Sequence, residues 1–105
     1  MIKGNKMQRW LCEELGNNAS ITTIDGERCV RYDCGNKFDV EVSGTHKTNP
    51  NAKVNLYLWY DARICIKHVF KVPYTNVQKT INEFQMLVDE IISKGPIDVA
   101  TLSTM

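Results

Sequence analysis

The segment of residues 19–43 reads ASITTIDGERCVRYDCGNKFDVEVS and gives the clearest indication of the architecture. Isoleucine, valine, threonine and aromatic side chains alternate in it with polar ones at a period of two, which is typical of half-buried β-strands. Asp25-Gly26 interrupts the alternation, and this pair favours a two-residue type I′ turn, in which both central residues need a positive φ. Such a turn places Ile21 opposite Val30, so the segment predicts antiparallel hairpins with one apolar face.

The next hairpin is predicted by keeping apolar side chains together, because one buried face fixes the register of a strand pair. A three-residue loop, Cys34-Gly35-Asn36, pairs Tyr32 with Phe38 and Val30 with Val40. We expect a bulge at this loop, with Gly35 or Asn36 in the left-handed region.

A similar argument applies to the last hairpin of the chain. A three-residue loop at Asp61-Ala62-Arg63 keeps every large aliphatic side chain on one side. The resulting pairs are Leu58 with Ile66, Leu56 with His68, Val54 with Phe70, Trp59 with Cys65, and Tyr57 with Lys67.

Helical periodicity flanks the strands on both sides. From about Asn5 to Leu15, apolar residues recur at three- and four-residue spacing, Asn5 and Gln8 have the spacing of a capping box, and Gly16 is a stop signal. From about Asn76 to Ser93 a second apolar stripe contains Val77, Ile81, Phe84, Val88 and Ile91, and Thr75 with Gln78 has a capping-box spacing.

The predicted fold class is α+β. We expect a five-stranded antiparallel meander sheet, with strands at about 19–24, 27–33, 37–43, 53–60 and 63–72, and an N-terminal and a C-terminal helix packed on one face. The domain is expected to span residues 1–95, followed by a short, mobile tail at 96–105. The buried face comprises Ile21, Val30, Tyr32, Phe38, Val40, Val42, Val54, Leu56, Leu58, Ile64, Ile66, Phe70 and Val72.

Composition restricts the classes of protein that fit. The 105 residues carry a net charge of +1, with 43% hydrophobic and 24% charged residues, which fits one globular domain and excludes extensive disorder. No apolar run approaches the roughly 18 residues of a membrane span, and no apolar leader is apparent. The four cysteines lack metal-site spacing, so we expect free thiols in a cytoplasmic protein, with disulfides in a secreted protein as the alternative.

The other face of the sheet is predicted to be open to solvent and carries the candidate binding residues. Tyr57 and Trp59 lie two residues apart on it, and rigid aromatic side chains of this kind are enriched at binding hot spots. The alternative is that the tail or the polar loop 44–52 covers them. The remaining open-face side chains are Arg31, Asp33, Asp39, Glu41, Asn55, Cys65, Lys67, Val69 and Lys71.

Cations beside these aromatic residues leave a second class of ligand open. Arg31, Arg63, Lys67 and Lys71 are candidate binding residues, and aromatic rings with cations are typical of proteins that bind single-stranded nucleic acid. Two acidic residues on strand three and the small net charge argue against it. Lysines on an edge strand also prevent aggregation.

Catalytic and metal-binding patterns are absent from the sequence. His68 is expected on the apolar face, and His46 lies in the 44–52 loop. Asp39 and Glu41 share a face, but solvated carboxylates are the simpler interpretation. We therefore expect no enzyme, no metal and no cofactor.

These observations predict a small non-enzymatic protein that acts by protein–protein contact through the exposed sheet face, as an adaptor or as an inhibitor such as a phage-encoded anti-defence factor. A module for single-stranded nucleic acid is the alternative. A homodimer through strand 63–72 or through the aromatic patch is a third possibility.

Overall fold

Three α-helices and five β-strands make up the computed structural model, which describes residues 4–103. A single turn of 3-10 helix, Tyr74–Asn76, separates the last strand from the second helix. In chain order the elements are α1 (Lys6–Leu15), β1 (Ala19–Ile24), β2 (Glu27–Gly35), β3 (Phe38–Ser43), β4 (Lys53–Tyr60), β5 (Ile64–Pro73), α2 (Val77–Ser93) and α3 (Val99–Leu102). The strands form one antiparallel sheet in the order β1-β2-β3-β4-β5, which confirms the predicted α+β meander.

The predicted capping box starts α1. The Asn5 side chain accepts a hydrogen bond from the Gln8 N–H at 2.8 Å, and the Gln8 side chain accepts one from the Asn5 N–H at 2.9 Å. Gly16 ends the helix at φ 86°, with its N–H donating to the Cys12 carbonyl oxygen. The capping box predicted for α2 at Thr75 is wrong, because the residue that caps this helix is Asn76 and its side chain makes no capping bond.

The first hairpin has the predicted register, with Ile21 opposite Val30. In the second hairpin the predicted register is wrong by two residues. Val30 pairs with Val42 rather than with Val40, because β2 extends to Gly35 and the turn lies at Asn36-Lys37. The predicted bulge is present, between Asp33 and Gly35.

The core contains side chains from one side of the sheet and from the helices. One cluster of buried side chains includes residues of both long helices and of this side of the sheet. The apolar stripes of the helices and the apolar positions of the strands therefore contribute to the same core. Its strand members are Val30, Phe38, Val40, Val42, Val54, Leu56, Leu58, Ile66 and Val72, and its helix members include Met7, Leu11, Val77, Ile81, Phe84 and Val88.

The segment expected as a tail contains α3 after residue 96. Asp98 caps this short helix by accepting a hydrogen bond from the Ala100 N–H at 3.0 Å. Leu102 is only 3% exposed and belongs to the core cluster, while Ile97 packs against that cluster. Residues 97–102 therefore pack on the domain.

Candidate functional site

Strand β4 carries the two aromatic residues that the sequence singled out. Val54, Leu56 and Leu58 are buried, so the alternating side chains of Tyr57 and Trp59 point to the other side of the sheet, where both are half-buried. The structure thus places these two residues on the predicted face.

Strand β5 differs from the prediction because it contains two bulges. Trp59 pairs with Cys65 as expected, but Leu58 then pairs with Lys67, so Ile66 is an extra residue. The second irregularity lies opposite Asn55, and each extra residue reverses the side to which the following side chains point.

Lys71 lies at this second irregularity and has a left-handed backbone, with φ 58°. Its N–H donates a hydrogen bond of 3.0 Å to the Asn55 Oδ1 atom. Asn55 therefore stabilises the backbone at the point where the ladder is interrupted.

The bulges move two rings onto the open side, which corrects the sequence analysis. Phe70 and His68 were expected on the buried face, but Phe70 is 51% exposed and His68 is exposed and pairs with Tyr57. Val69 and Lys67 were also expected on the open face. Val69 instead pairs with Leu56 and packs against the core. Lys67 is exposed, but it pairs with the buried Leu58 and therefore points to that same side of the sheet. The predicted pairs of Leu58, Leu56, Val54 and Tyr57 with Ile66, His68, Phe70 and Lys67 are wrong for the same reason.

Four rings therefore lie together, and we call Tyr57, Trp59, His68 and Phe70 the aromatic face. His68 and Phe70 stack with their ring centroids 4.5 Å apart, and Phe70 meets Tyr57 edge-on at 5.7 Å. Tyr57 and Trp59 are tilted with centroids 6.4 Å apart. Rings at these separations hold one another in place, so the face is preorganised.

Carboxylates next to the aromatic face are already engaged. Trp59 Nε1 donates a hydrogen bond of 3.2 Å to Glu41 Oε1, and burial raises the pKa of Glu41 although this bond acts to lower it. Asp39 forms an ion pair with Arg31, with 2.7 Å between Oδ2 and Nε. Arg31, a predicted binding residue, is thus on the open side but paired.

A groove with three lysines adjoins the aromatic face at Phe70. Its volume is about 520 Å³, and its lining consists of Lys47, Asn51, Lys53, Asn55, Phe70 and Lys71, which we call the lysine groove. None of the ion pairs found in residues 4–103 includes these lysines. The lysine groove is therefore a positively charged surface next to the exposed ring of Phe70.

Sequence reasoning identified only part of this groove. It named Lys71, but it missed Lys47, Asn51 and Lys53, which the 44–52 loop and the start of β4 bring to Phe70. Arg63 and Lys67 are exposed, yet they do not line the groove. The only available signal was the length and polarity of the loop, which is typical of contact loops but names no partner residue.

The C-terminal segment and the 44–52 loop, the two segments that could have covered the open face, leave the aromatic face uncovered. The C-terminal segment packs near the end of α2, where Ile97 and Leu102 line a pocket with Ile91. The 44–52 loop is held at its middle by a hydrogen bond of 3.1 Å from the Tyr74 hydroxyl to the Lys47 carbonyl oxygen. The loop borders the aromatic face at the groove and leaves Phe70 half exposed.

The reactive or metal-ligating side chains outside these two surfaces do not form a catalytic or metal-binding group among residues 4–103. His46 lies 3.3 Å from Glu27 in an exposed contact, and within residues 4–103 there is no group of three or more His, Cys, Asp or Glu residues that could hold a metal ion. The four cysteines are free. Burial raises the pKa of Cys29 and that of Cys34 to about 12, so neither thiol is a ready nucleophile.

Comparison with protein-family models, with curated proteins and with solved structures finds no match to this chain. Of the helices within residues 4–103, none has the length and apolar character that a membrane crossing requires.

Proposed function

We propose that this chain is a small non-enzymatic binding protein, an adaptor or inhibitor, whose aromatic face contacts a protein partner. The observation that supports this most is the cluster of four rings on the open side, with Phe70 51% exposed. Exposed, mutually packed aromatic residues resemble the anchors that dominate binding free energy at protein interfaces. An inhibitor such as a phage-encoded anti-defence factor is one case of this function.

The charges around the aromatic face define the chemistry of the partner. Lys47, Lys53 and Lys71 line the groove at one end, and Arg63 is exposed in the turn of the hairpin that carries the rings. Asp39 and Glu41 are engaged by Arg31 and Trp59. We therefore expect a partner with an apolar centre and an acidic rim, because complementary charge favours association and suppresses wrong partners.

The experiment compares variants that lack one ring of the aromatic face with a matched control variant. Immobilised wild type, Phe70→Ala and Met86→Ala are incubated with nuclease-treated cell lysate; Met86 is 71% exposed on α2 and serves as the control for loss of an exposed apolar side chain. We expect one protein to be retained by wild type and Met86→Ala and lost by Phe70→Ala. With that partner purified, Trp59→Ala should weaken binding by more than about 1 kcal/mol, or about fivefold in Kd.

The proposal fails if Phe70→Ala and Trp59→Ala bind the purified partner as tightly as wild type. Circular dichroism melts of each variant establish that a loss of binding is not a loss of fold. Phe70 is half exposed, so its truncation should leave the melting temperature close to that of wild type.

A second candidate function is favoured by one observation, the lysine groove beside Phe70. Three ammonium groups next to an exposed ring suit a single strand of nucleic acid, with phosphates in the groove and bases on the rings. Material that is retained from untreated lysate and lost after nuclease treatment would support this candidate. A labelled oligothymidylate then binds with an affinity that falls steeply with salt, and Lys53→Ala reduces that slope while Lys79→Ala, exposed on α2, does not.

The cytoplasm is the compartment that we propose for this activity. Free thiols are typical of reducing compartments, and all four cysteines are unpaired.

A further inference from the structure

Strand β1 is an edge of the sheet with unused backbone hydrogen-bonding groups. The Asp33 N–H donates to the Asn18 carbonyl oxygen at 3.0 Å, so Asn18 faces β2, and Ser20, Thr22 and Ile24 follow it at a period of two. Ile21 and Thr23 therefore direct their N–H and C=O groups away from the sheet. Within residues 4–103 no backbone or side chain bonds to these outward groups.

The two edges of this sheet are protected very differently. On β5 the edge carries Lys67, Lys71, two bulges and a terminal Pro73, all of which hinder pairing with another strand. By contrast β1, with the sequence ASITTI, has no charge, no proline and no register shift against β2. An unprotected six-residue edge rich in Ile and Thr is a template for strand addition.

We propose that β1 pairs antiparallel with β1 of a second copy of this chain, about a two-fold axis at Thr22. In this register Ile21 lies opposite Thr23 of the other copy, so the outward N–H and C=O groups of both residues meet twice around the axis. The strand is uncharged, so no like charges face each other. A second copy is favoured because it presents the same uncharged edge without bulges, whereas the β5 edge carries lysines, two bulges and Pro73.

Pairing in this way joins two sheets into one of ten strands. Directly opposed residues of an antiparallel pair point to the same side, so both aromatic faces would lie on one side of the dimer. The dimer would then be bivalent for whatever the aromatic face binds. The pairing itself does not depend on the proposed function, because it uses only the β1 edge.

The test is the oligomeric state of wild type and of charge variants at Thr22, the residue on the axis. Sedimentation over a concentration series should give twice the 12.0 kDa of one chain for wild type. Thr22→Lys and Thr22→Glu should each raise the dimer dissociation constant about fivefold or more, since like charges directly opposed across strands repel. An equal mixture of the two variants should dimerise again. Thr48→Lys, at an exposed position of the 44–52 loop, should dimerise like wild type.

A wild-type chain that sediments as a monomer at every concentration overturns the proposal. So does a dimer that both Thr22 variants leave intact, since another surface must then form it. The mixture guards against misfolding, because a misfolded variant is not rescued by its opposite charge. Thr23→Pro supplies a second check: its N–H faces outward, so the substitution spares the ladder to β2 and should still abolish dimerisation.

Discussion

Gln8 completes the predicted capping box of α1 and also links this helix to distant parts of the chain. It is 2% exposed, and besides its capping bond its Nε2 donates to Thr45 Oγ1 at 3.1 Å and to the Arg28 carbonyl oxygen at 3.2 Å. Asn5 adds a bond of 2.8 Å from its Nδ2 to the Thr45 carbonyl oxygen. The helix start is thereby fastened to β2 and to the 44–52 loop, whose far end borders the lysine groove.

Substitution of Gln8 by leucine tests this network. Gln8→Leu keeps a side chain of similar volume but removes the Oε1 atom that accepts from the Asn5 N–H. It also removes the Nε2 donor to the hydroxyl of Thr45, which is fully buried. We expect the free energy of unfolding to fall by about 2–3 kcal/mol, measured by urea denaturation. Gln78→Leu, exposed on α2, is the matched control and should change it by less than about 0.5 kcal/mol. Equal effects of both substitutions would contradict a structural role for Gln8.

The capping box of α1 is a local pattern that was predicted correctly from the sequence, although the same spacing at Thr75 does not form one. The bonds from Gln8 to Thr45 and Arg28 join residues 37 and 20 positions apart, and no local pattern encodes such a contact. The same distinction holds at the aromatic face. Tyr57 and Trp59 follow from alternation within β4, whereas the approach of Lys47 to Phe70 depends on how the loop folds back.

The strands show why the side of the sheet to which a residue points is easier to predict than its partner on the next strand. The second hairpin is shifted by two residues from its predicted register, and a shift of two leaves every side chain on its original side. Periodicity therefore could not distinguish the two registers. In β5 the buried residues Ile66 and Val72 flank a half-buried Val69, a spacing of three that reflects the extra residues and that a strict alternation misassigns.

The turn of the second hairpin yields a prediction of increased stability. Asn36 and Lys37 both have a positive φ, 53° and 70°, as a type I′ turn requires. Because a side chain in the left-handed region costs about 1 kcal/mol or more, Lys37→Gly should raise the free energy of unfolding by about 0.5–1 kcal/mol. Lys79→Gly, on the exposed side of α2, should instead lower it by about 1 kcal/mol. Chemical denaturation that shows both substitutions lowering stability would contradict the assigned turn.

For the molecule as a whole, the C-terminal segment decides how much of the chain belongs to the domain. Leu102 lies in the core cluster with residues of α2 and the sheet, although it follows residue 95, where the predicted domain ends. Ile97 and Leu102 also line an apolar pocket with Ile91 at the end of α2. The segment contains apolar residues, but it is too short to show a periodicity from which this packing could be predicted.

Leu102 and Val99 on the same short helix provide a matched pair for testing this packing. Leu102 is 3% exposed and Val99 is 51% exposed, so only the first truncation leaves a cavity. We expect Leu102→Ala to lower the free energy of unfolding by about 2–3 kcal/mol, and Val99→Ala to change it by less than about 0.5 kcal/mol. Amide hydrogen exchange in residues 97–102 should also accelerate in Leu102→Ala alone. If the segment is instead a mobile tail, both variants melt like wild type and these amides exchange at the rate of an unfolded peptide in all three proteins.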